Sequence, residues 1–250
     1  MASDPAPALE EPLTGGRYTA GVVRVGDTVR RPAGPASPFM RRLLDHLEAA
    51  GFAGVPRYRG RDERGRDVLT FLPGWVPERF QLFADPQVAA AGALLRTFHD
   101  ATRGSELAAG TEVVCHHDPG PNNVVFVDHL PTAFIDFDFA APGAAIEDLG
   151  YMGWTWCISS RPDRGPVEVQ ARQVRVLADA YGLDGPARRA LPDAMIERQS
   201  RNIGFWTERL DGFDGLPTPV ETIRERIAWS RREMQFTSAH RDLFLAALTV

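Results

Sequence analysis

In the first third of the chain, hydrophobic and polar positions alternate over short stretches, which is the period of a β-strand. GVVRV (residues 21–25) and TVRRP (28–32) flank a Gly-Asp turn. VPRYRG (55–60) and VLTFLPG (68–74) flank the turn DERGR in the same way. The pattern therefore predicts two antiparallel hairpins.

Helical spacing of apolar residues dominates elsewhere. Between the hairpins, Leu43, Leu44 and Leu47 predict a helix over residues 38–50, with Ser37 as its N-cap. Beyond Gly74 the same spacing predicts four further helices, over residues 86–102, 167–182, 187–210 and 219–247. Two short apolar strands interrupt this helical part: VVFVD (124–128) and TAFIDF (132–137), on either side of the turn HLP.

This change of pattern divides the chain into a small strand-rich lobe and a larger helical lobe. We place the boundary after residue 73, so that residues 1–73 form one lobe and residues 74–250 the other. A chain of 250 residues is long enough for two lobes that share a cleft.

Composition narrows the function without naming it. Hydrophobic residues make up 44% of the chain and charged residues 24%, as in ordinary globular proteins. The net charge of -5 argues against a nucleic-acid partner. No stretch is apolar enough for a membrane span, and the start of the chain has no signal-peptide pattern, so we expect a cytoplasmic protein. The oligomeric state is left open.

The richest polar stretch is VVCHHDPGPNNVVF, residues 113–126. One interpretation is a zinc site built from Cys115, His116, His117 and Asp118, but consecutive residues of an extended segment point to opposite sides and do not converge on one ion. A second is a polar turn with locally satisfied histidines. A third is a catalytic loop.

A second acidic cluster favours the catalytic loop. Asp136 and Asp138 end the apolar strand in FIDFDF, and the predicted hairpin brings Asp136 near Asp118 and Asn123. Carboxylates that interrupt a buried strand are costly unless a cation compensates them. Mg²⁺ takes oxygen ligands of this kind, together with substrate phosphates.

The order H-x-D-x-x-x-x-N (His116, Asp118, Asn123), then a hairpin, then Asp136, closely resembles the signature of the aminoglycoside phosphotransferase family. TFLPG, LLRTFHDAT and DLG follow the family pattern in the same order. The resemblance implies an α+β, protein-kinase-like two-lobed fold, with a small β-rich N-lobe and a larger, mostly helical C-lobe. It also implies transfer of the γ-phosphate of ATP, with Mg²⁺, to a hydroxyl group of a small molecule.

The resemblance also assigns residues to roles. Asp118 is the candidate catalytic base, and Asn123 and Asp136 are the candidate metal ligands. His116 would support the loop, and Asp148 would help to hold the lobe together. Residues expected to contact the nucleotide are Gly15, Gly16, Val29, Arg31, Phe71 and Leu72.

Other polar residues receive lesser or undecided roles. Asp138 is a secondary metal or structural contact. His99 is expected to be a packed histidine. His117 either faces the acceptor or is solvated.

Two departures from the family pattern support an alternative function. All 28 basic residues are arginines, so Arg31 stands where most relatives have lysine, and no glutamate occurs early in the helix over residues 38–50. A kinase-fold module that binds a nucleotide or a partner without turnover is therefore a second hypothesis.

Protein acceptors are disfavoured because no Ser/Thr-rich segment separates IDFDFAAPG from EDLG.

The acceptor is not defined by the sequence. Acidic residues of the helical lobe would either attract a cationic acceptor or simply be solvated: Asp193, Glu197, Asp211 and Asp214.

Overall fold

The computed structural model describes residues 9–13, 21–77, 81–210 and 218–249. The N-terminal part contains a five-stranded antiparallel sheet in the order β1-β2-β3-β5-β4. Its strands are β1 (Glu11–Pro12), β2 (Val23–Val25), β3 (Thr28–Arg31), β4 (Tyr58–Arg61) and β5 (Asp67–Thr70). Both predicted hairpins, β2–β3 and β4–β5, are confirmed.

One helix, α1 (Ser37–Ala49), packs against this sheet and buries Leu43, Leu44 and Leu47. The prediction that Ser37 is its N-cap is wrong, because Ser37 is the first helical residue. Its hydroxyl instead accepts a hydrogen bond from the Gly34 N–H at 2.9 Å and donates to the buried Asp67 carboxylate of β5. The serine therefore joins the helix to the sheet.

The C-terminal part is mostly helical and carries two small antiparallel ribbons. One ribbon pairs β6 (Val113–Cys115) with β9 (Ala141–Gly143), and the other pairs β7 (Val124–Val127) with β8 (Leu130–Phe134). The helices are α2 (Asp85–Thr102), α3 (Ala145–Met152), α4 (Val167–Tyr181), α5 (Gly185–Leu210), α6 (Val220–Ala239) and α7 (Arg241–Leu248).

Two predicted boundaries in this part are wrong, and one helix was not predicted. The strand expected over residues 132–137 ends at Phe134, because the chain turns at Asp136, whose φ is 65°. The helix expected over 219–247 is broken at His240, which lets Phe244 and Leu248 reach the core against α4. Helix α3 was not predicted, since its eight residues are too few for a clear helical period.

The segment after the first sheet is fixed to β7. Trp75 and Phe126 exchange backbone hydrogen bonds of 3.1 and 2.8 Å, and their rings stack. Gly74 precedes this bridge at φ 146°, and a Cβ there would lie 2.5 Å from the Phe126 carbonyl oxygen. Only glycine fits such an approach. Among the described residues, no helix combines the length and apolar character needed to cross a membrane.

Candidate active site

Two polar segments meet between the ribbons of the C-terminal part. Residues 116–123 connect β6 to β7, and residues 135–140 connect β8 to β9. Because β7 pairs with β8 and β6 pairs with β9, both ends of the two segments are held side by side. The Ile135 N–H donates to the Asn123 carbonyl at 2.9 Å. The sequence predicted the β7–β8 ribbon but missed the β6–β9 ribbon, since β9 contains Pro142 and Gly143.

Asp148 holds the first segment in place. This fully buried carboxylate accepts the backbone N–H groups of His116 and His117, both at 2.7 Å. The His99 ring nitrogen Nε2 lies 3.0 Å away on the same carboxylate. Burial opposes ionisation, but the hydrogen bond and charge of His99 hold the pKa of Asp148 below its usual value. Asp148 and His99 occupy the packed positions expected for them.

His116 has a geometry suited to support rather than proton transfer. Its Nδ1 accepts the Asp118 N–H at 3.3 Å, so Nε2 carries the proton and donates to the Ile135 carbonyl at 3.1 Å. Burial lowers the pKa of His116, which keeps the ring neutral. The ring thus joins the two polar segments.

Asp118 is partly buried and is oriented by two side chains. The Asn123 amide nitrogen donates to its carboxylate at 2.8 Å and to its carbonyl at 2.9 Å. The Tyr151 hydroxyl, on α3, donates a further hydrogen bond. Burial raises the pKa of Asp118, and these hydrogen bonds only partly oppose the shift. Tyr151 was missed by the sequence analysis because nothing in the stretch LGYMGW distinguishes it from a core aromatic residue.

The oxygen atoms beside Asp118 form a set that suits Mg²⁺. The Asn123 amide nitrogen faces Asp118, so its oxygen is turned away from that carboxylate. The oxygen accepts one hydrogen bond from the Asn122 amide at 3.2 Å, which leaves its second lone pair for a metal ion. Asp136 and Asp138 lie against each other, and burial together with the charge of Asp136 raises the pKa of Asp138. Two close carboxylates and one amide oxygen fit a hard divalent cation. The charge of Asp136 also acts on Asp118, whereas Asp138 joins this group through Asp136 and Arg31.

Arg31 of β3 reaches across to the same carboxylates. Its guanidinium contacts Asp136 at 3.4 Å and Asp138 at 2.5 Å. The helix glutamate missing from the sequence has no substitute on α1, where Met40 Sδ lies 4.0 Å from Arg31 Nη1. Asp136 and Asp138 are therefore the carboxylates that Arg31 contacts in the described residues.

Of the other residues expected to contact the nucleotide, some are described by the structure and some are not. Gly15 and Gly16 lie outside the described residues. Val29 packs on the core on β3, two residues from Arg31. The Phe71 N–H already donates to the Asp27 carbonyl at 2.7 Å, whereas the Leu72 N–H meets no backbone acceptor within the described ranges. A hinge contact to adenine would thus use the Leu72 N–H and the Phe71 carbonyl.

The zinc interpretation gains no support. Two groups of candidate ligands occur in the described residues, and both include Cys115 but neither includes His116 or Asp118. The Cys115 thiol is buried, its pKa is raised by that burial, and Sγ contacts the Ala144 carbonyl at 3.2 Å. His117 Nδ1 contacts the Phe139 carbonyl at 3.0 Å, and its Nε2 lies 3.4 Å from Glu147.

A cavity of about 240 Å³ opens beside Asp118. It is lined by His117, Asp118, Phe139, Tyr151, Arg198, Arg201, Asn202 and Phe205. A larger cavity of about 780 Å³ lies behind Leu72 and Pro73, is lined mainly by apolar residues, and contains no other predicted site residue.

Asp193 and Glu197, two of the acidic residues considered for a cationic acceptor, do not line the cavity beside Asp118. Asp193 and Glu197 are paired with Arg241 and Arg201, and Asp211 and Asp214 lie outside the described residues. Arg198 and Arg201 were not singled out from the sequence, in which arginines are scattered along most of the helices.

The lobes, the polar loop and the carboxylate pair together define a protein of the kinase-like phosphotransferase class. Residues 103–192 match the profile of the phosphotransferase enzyme family. The chain is also 34% identical to the trifolitoxin immunity protein of Rhizobium leguminosarum bv. trifolii, over 94% of this chain and 97% of that protein. The chain therefore belongs to the phosphotransferase enzyme family, and the family resemblance read from the sequence is confirmed.

Solved structures confirm the predicted fold. A choline/ethanolamine kinase family protein from Mesorhizobium loti is similar with a TM-score of 0.64, at 16% identity, over 99% of this chain and 94% of that chain. An amicoumacin kinase in complex with AMP-PNP and Ca²⁺ is similar with a TM-score of 0.60, at 12% identity, over 92% of this chain and 91% of that chain.

Proposed function

We propose that this phosphotransferase moves the γ-phosphate of ATP, with Mg²⁺, onto a hydroxyl group of a small molecule. The observation that carries the proposal is the position of Asp118. Its partly buried carboxylate lines a cavity of about 240 Å³ and is held by Asn123, whose amide oxygen is turned away from it. An acceptor in that cavity would meet a base on one side and a metal-binding set of oxygens beside it.

The residues divide the chemistry among them. Phosphoryl transfer depends mainly on positioning and on neutralising charge. Asp118 accepts the proton of the acceptor hydroxyl, and the rise in its pKa on burial makes it a better proton acceptor. When bound, Mg²⁺ would neutralise phosphate charge, held by Asn123, Asp136 and Asp138. Arg31 supplies the cation that contacts the phosphates.

A thermal-shift experiment tests the binding half of the proposal. The purified protein is heated with ATP, with Mg²⁺, and with both. We expect clear stabilisation only with both, since a ligand present at 100 times its Kd adds about 2.7 kcal/mol to the free energy of unfolding. In Asp136→Asn we expect most of the stabilisation by ATP with Mg²⁺ to be lost, so that adding Mg²⁺ no longer raises the melting temperature above that with ATP alone. Equal stabilisation by ATP with and without Mg²⁺ would contradict the proposed site.

Release of ADP with a panel of alcohols tests the chemical half. Turnover that requires an acceptor supports the kinase. The absence of a helix glutamate beside Arg31 favours the second hypothesis, a module that binds nucleotide without turnover. Mg²⁺-dependent nucleotide binding that no acceptor converts to turnover would support that module instead.

The name of the rhizobial relative suggests a biological role. That protein is named for immunity to trifolitoxin. We propose that the present chain protects its host by phosphorylating a toxic compound in the cytoplasm, where ATP is available. Expression in a trifolitoxin-sensitive bacterium should raise the tolerated concentration. Protection that persists in Asp118→Asn would show that phosphorylation is not its cause.

A further inference from the structure

Two arginines line the cavity beside Asp118, and they differ in whether a carboxylate neutralises their charge. Arg201 is neutralised by two carboxylates, Glu147 at 2.7 Å and Glu197 at 2.7 Å. Arg198 has no carboxylate partner among the described residues. Its Nη2 donates to the His117 carbonyl at 2.7 Å, and its buried Nε has no hydrogen-bond partner within the same ranges. One cation in the cavity is thus left without a counter-charge in the part of the chain that the structure describes.

The position of Arg198 ties this charge to the candidate base. Its guanidinium lies over the Tyr151 ring, 4.7 Å from the centroid. The hydroxyl of that same ring donates to Asp118. A molecule that reaches from Arg198 along the Tyr151 ring would therefore bring its far end to Asp118.

The rest of the wall is aromatic. Phe139 and Phe205 meet edge to face, with ring centroids 5.8 Å apart, and both line the cavity. The acidic side chain that lines the cavity is Asp118 itself, since Glu147 and Glu197 are engaged with Arg201. Among the described residues that line this cavity, few carry a negative charge that could bind a polycation. An anion, in contrast, could accept hydrogen bonds from the N–H groups of Arg198 that have no partner among these residues.

We propose that the acceptor carries a carboxylate, bound by Arg198, on an apolar or aromatic body that also bears the reacting hydroxyl. Arginine suits this role because its planar fork can donate two parallel hydrogen bonds to a carboxylate. The proposal rests on the proposed function, since it assumes that the cavity receives the acceptor. It makes Arg198 a specificity-determining residue and argues against cationic acceptors.

A set of three matched alcohols tests the proposal: 4-(hydroxymethyl)benzoate, 4-(hydroxymethyl)benzamide and 4-(hydroxymethyl)benzylamine. Their bodies are alike and their charges are negative, neutral and positive. Binding is measured by titration calorimetry with Mg²⁺ and the unreactive nucleotide AMP-PNP. We expect the benzoate to bind about tenfold or more tightly than the benzylamine, as charge-assisted hydrogen bonds allow.

Substitutions assign that preference to one residue. Arg198→Gln should remove the preference for the benzoate, and Arg198→Lys should restore part of it. The double substitution Arg201→Gln/Glu197→Gln is the matched control. It removes a cation together with one of its carboxylate partners, so the net charge beside the cavity is unchanged and the preference should remain. Thermal melts of each variant check that it is folded.

Equal affinity for the three alcohols, including equal absence of binding, would overturn the proposal. A preference for the benzoate that survives Arg198→Gln would overturn it as well. Because AMP-PNP does not react, the preference can hold even if phosphoryl transfer fails. Conversely, turnover of amines alone would overturn the proposal and leave the kinase function standing.

Discussion

The proposed catalytic loop and Arg31, the proposed phosphate contact, are built in opposite ways. The loop is anchored by residues outside the reaction itself, since Asp148 accepts two backbone N–H groups and the His99 ring. Arg31 instead contacts Asp136 and Asp138, the carboxylates proposed to bind metal. Protein contacts alone therefore hold the loop in place, whereas Arg31 would have to exchange partners if metal and nucleotide bind as proposed.

This exchange has a physical cause. The pKa of Asp138 is raised by burial and by the charge of Asp136, although Arg31 lowers it in part. The carboxylate pair thus holds more negative charge than one guanidinium neutralises. A divalent cation would relieve that repulsion and release Arg31 to the phosphates. We therefore expect metal and nucleotide to bind cooperatively.

Asp118→Asn should have the largest effect on turnover. Loss of a general base lowers kcat by about 10²–10⁴-fold. Stability should change in the opposite direction. Because burial raises the folded-state pKa of Asp118 above 3.8, the carboxyl favours folding at low pH, and this contribution is lost as pH rises through the folded-state pKa. At neutral pH the amide should therefore raise the Tm by a few degrees.

ADP release and thermal melts at several pH values check both halves of this prediction. The gain in Tm should shrink below the pH at which Asp118 becomes protonated. Asp193→Asn serves as the control on an exposed carboxylate, which is paired with Arg241. An Asp118→Asn variant that melts lower than the wild type at neutral pH would contradict the assigned burial.

Asp148→Asn should give the largest loss of stability. An amide has one oxygen for three N–H donors, and its own N–H₂ would face one of them. Breaking a buried charged network costs about 3–5 kcal/mol, measurable by urea unfolding. The folded-state pKa of Asp148 is lowered, so its contribution is present at neutral pH and is lost as pH falls through that pKa. A cost at neutral pH no larger than that of Asp193→Asn would refute the anchoring role.

The sequence predicted the loop side of the comparison better than the arginine side. His116, Asp118 and Asn123 lie within one short loop, so local spacing and a two-strand ribbon were enough to bring them together. The partners of Arg31 lie 105 and 107 residues away along the chain, and no local period reports such a contact. Tyr151 and Arg198 were missed for the same reason, since each reaches the site through the packing of α3 and α5.

Arg31→Gln should separate the two roles of the arginine. The KM for ATP is expected to rise about tenfold or more, because charge-assisted hydrogen bonds to phosphate are lost. Binding of Mn²⁺ without nucleotide should become tighter, since Asp136 and Asp138 lose their competitor. Arg31→Lys should be intermediate.

Steady-state ADP-release assays give the KM for ATP, and calorimetry with Mn²⁺ gives the metal affinity, so the two effects of Arg31→Gln are measured separately. Arg30→Gln is the matched control, since strand alternation turns Arg30 to the other face of β3. An unchanged KM for ATP in Arg31→Gln would remove Arg31 from the phosphate site.

Met40→Glu should produce the smallest effect. It would give Arg31 a carboxylate partner that is not a proposed metal ligand, so that Arg31, like the loop, is held by a residue outside the reaction. Met40 Sδ already lies 4.0 Å from Arg31 Nη1, so a glutamate there can pair with the guanidinium. Asp136 and Asp138 would then be free before metal binds, and the Mg²⁺ concentration for half-maximal activity should fall by up to about fivefold, the range of a single ion pair. Met40→Gln, of the same shape without the charge, is the control, because Met40 is 1% exposed and either change will cost stability. If both variants shift the Mg²⁺ requirement equally, Arg31 is not competing with the metal.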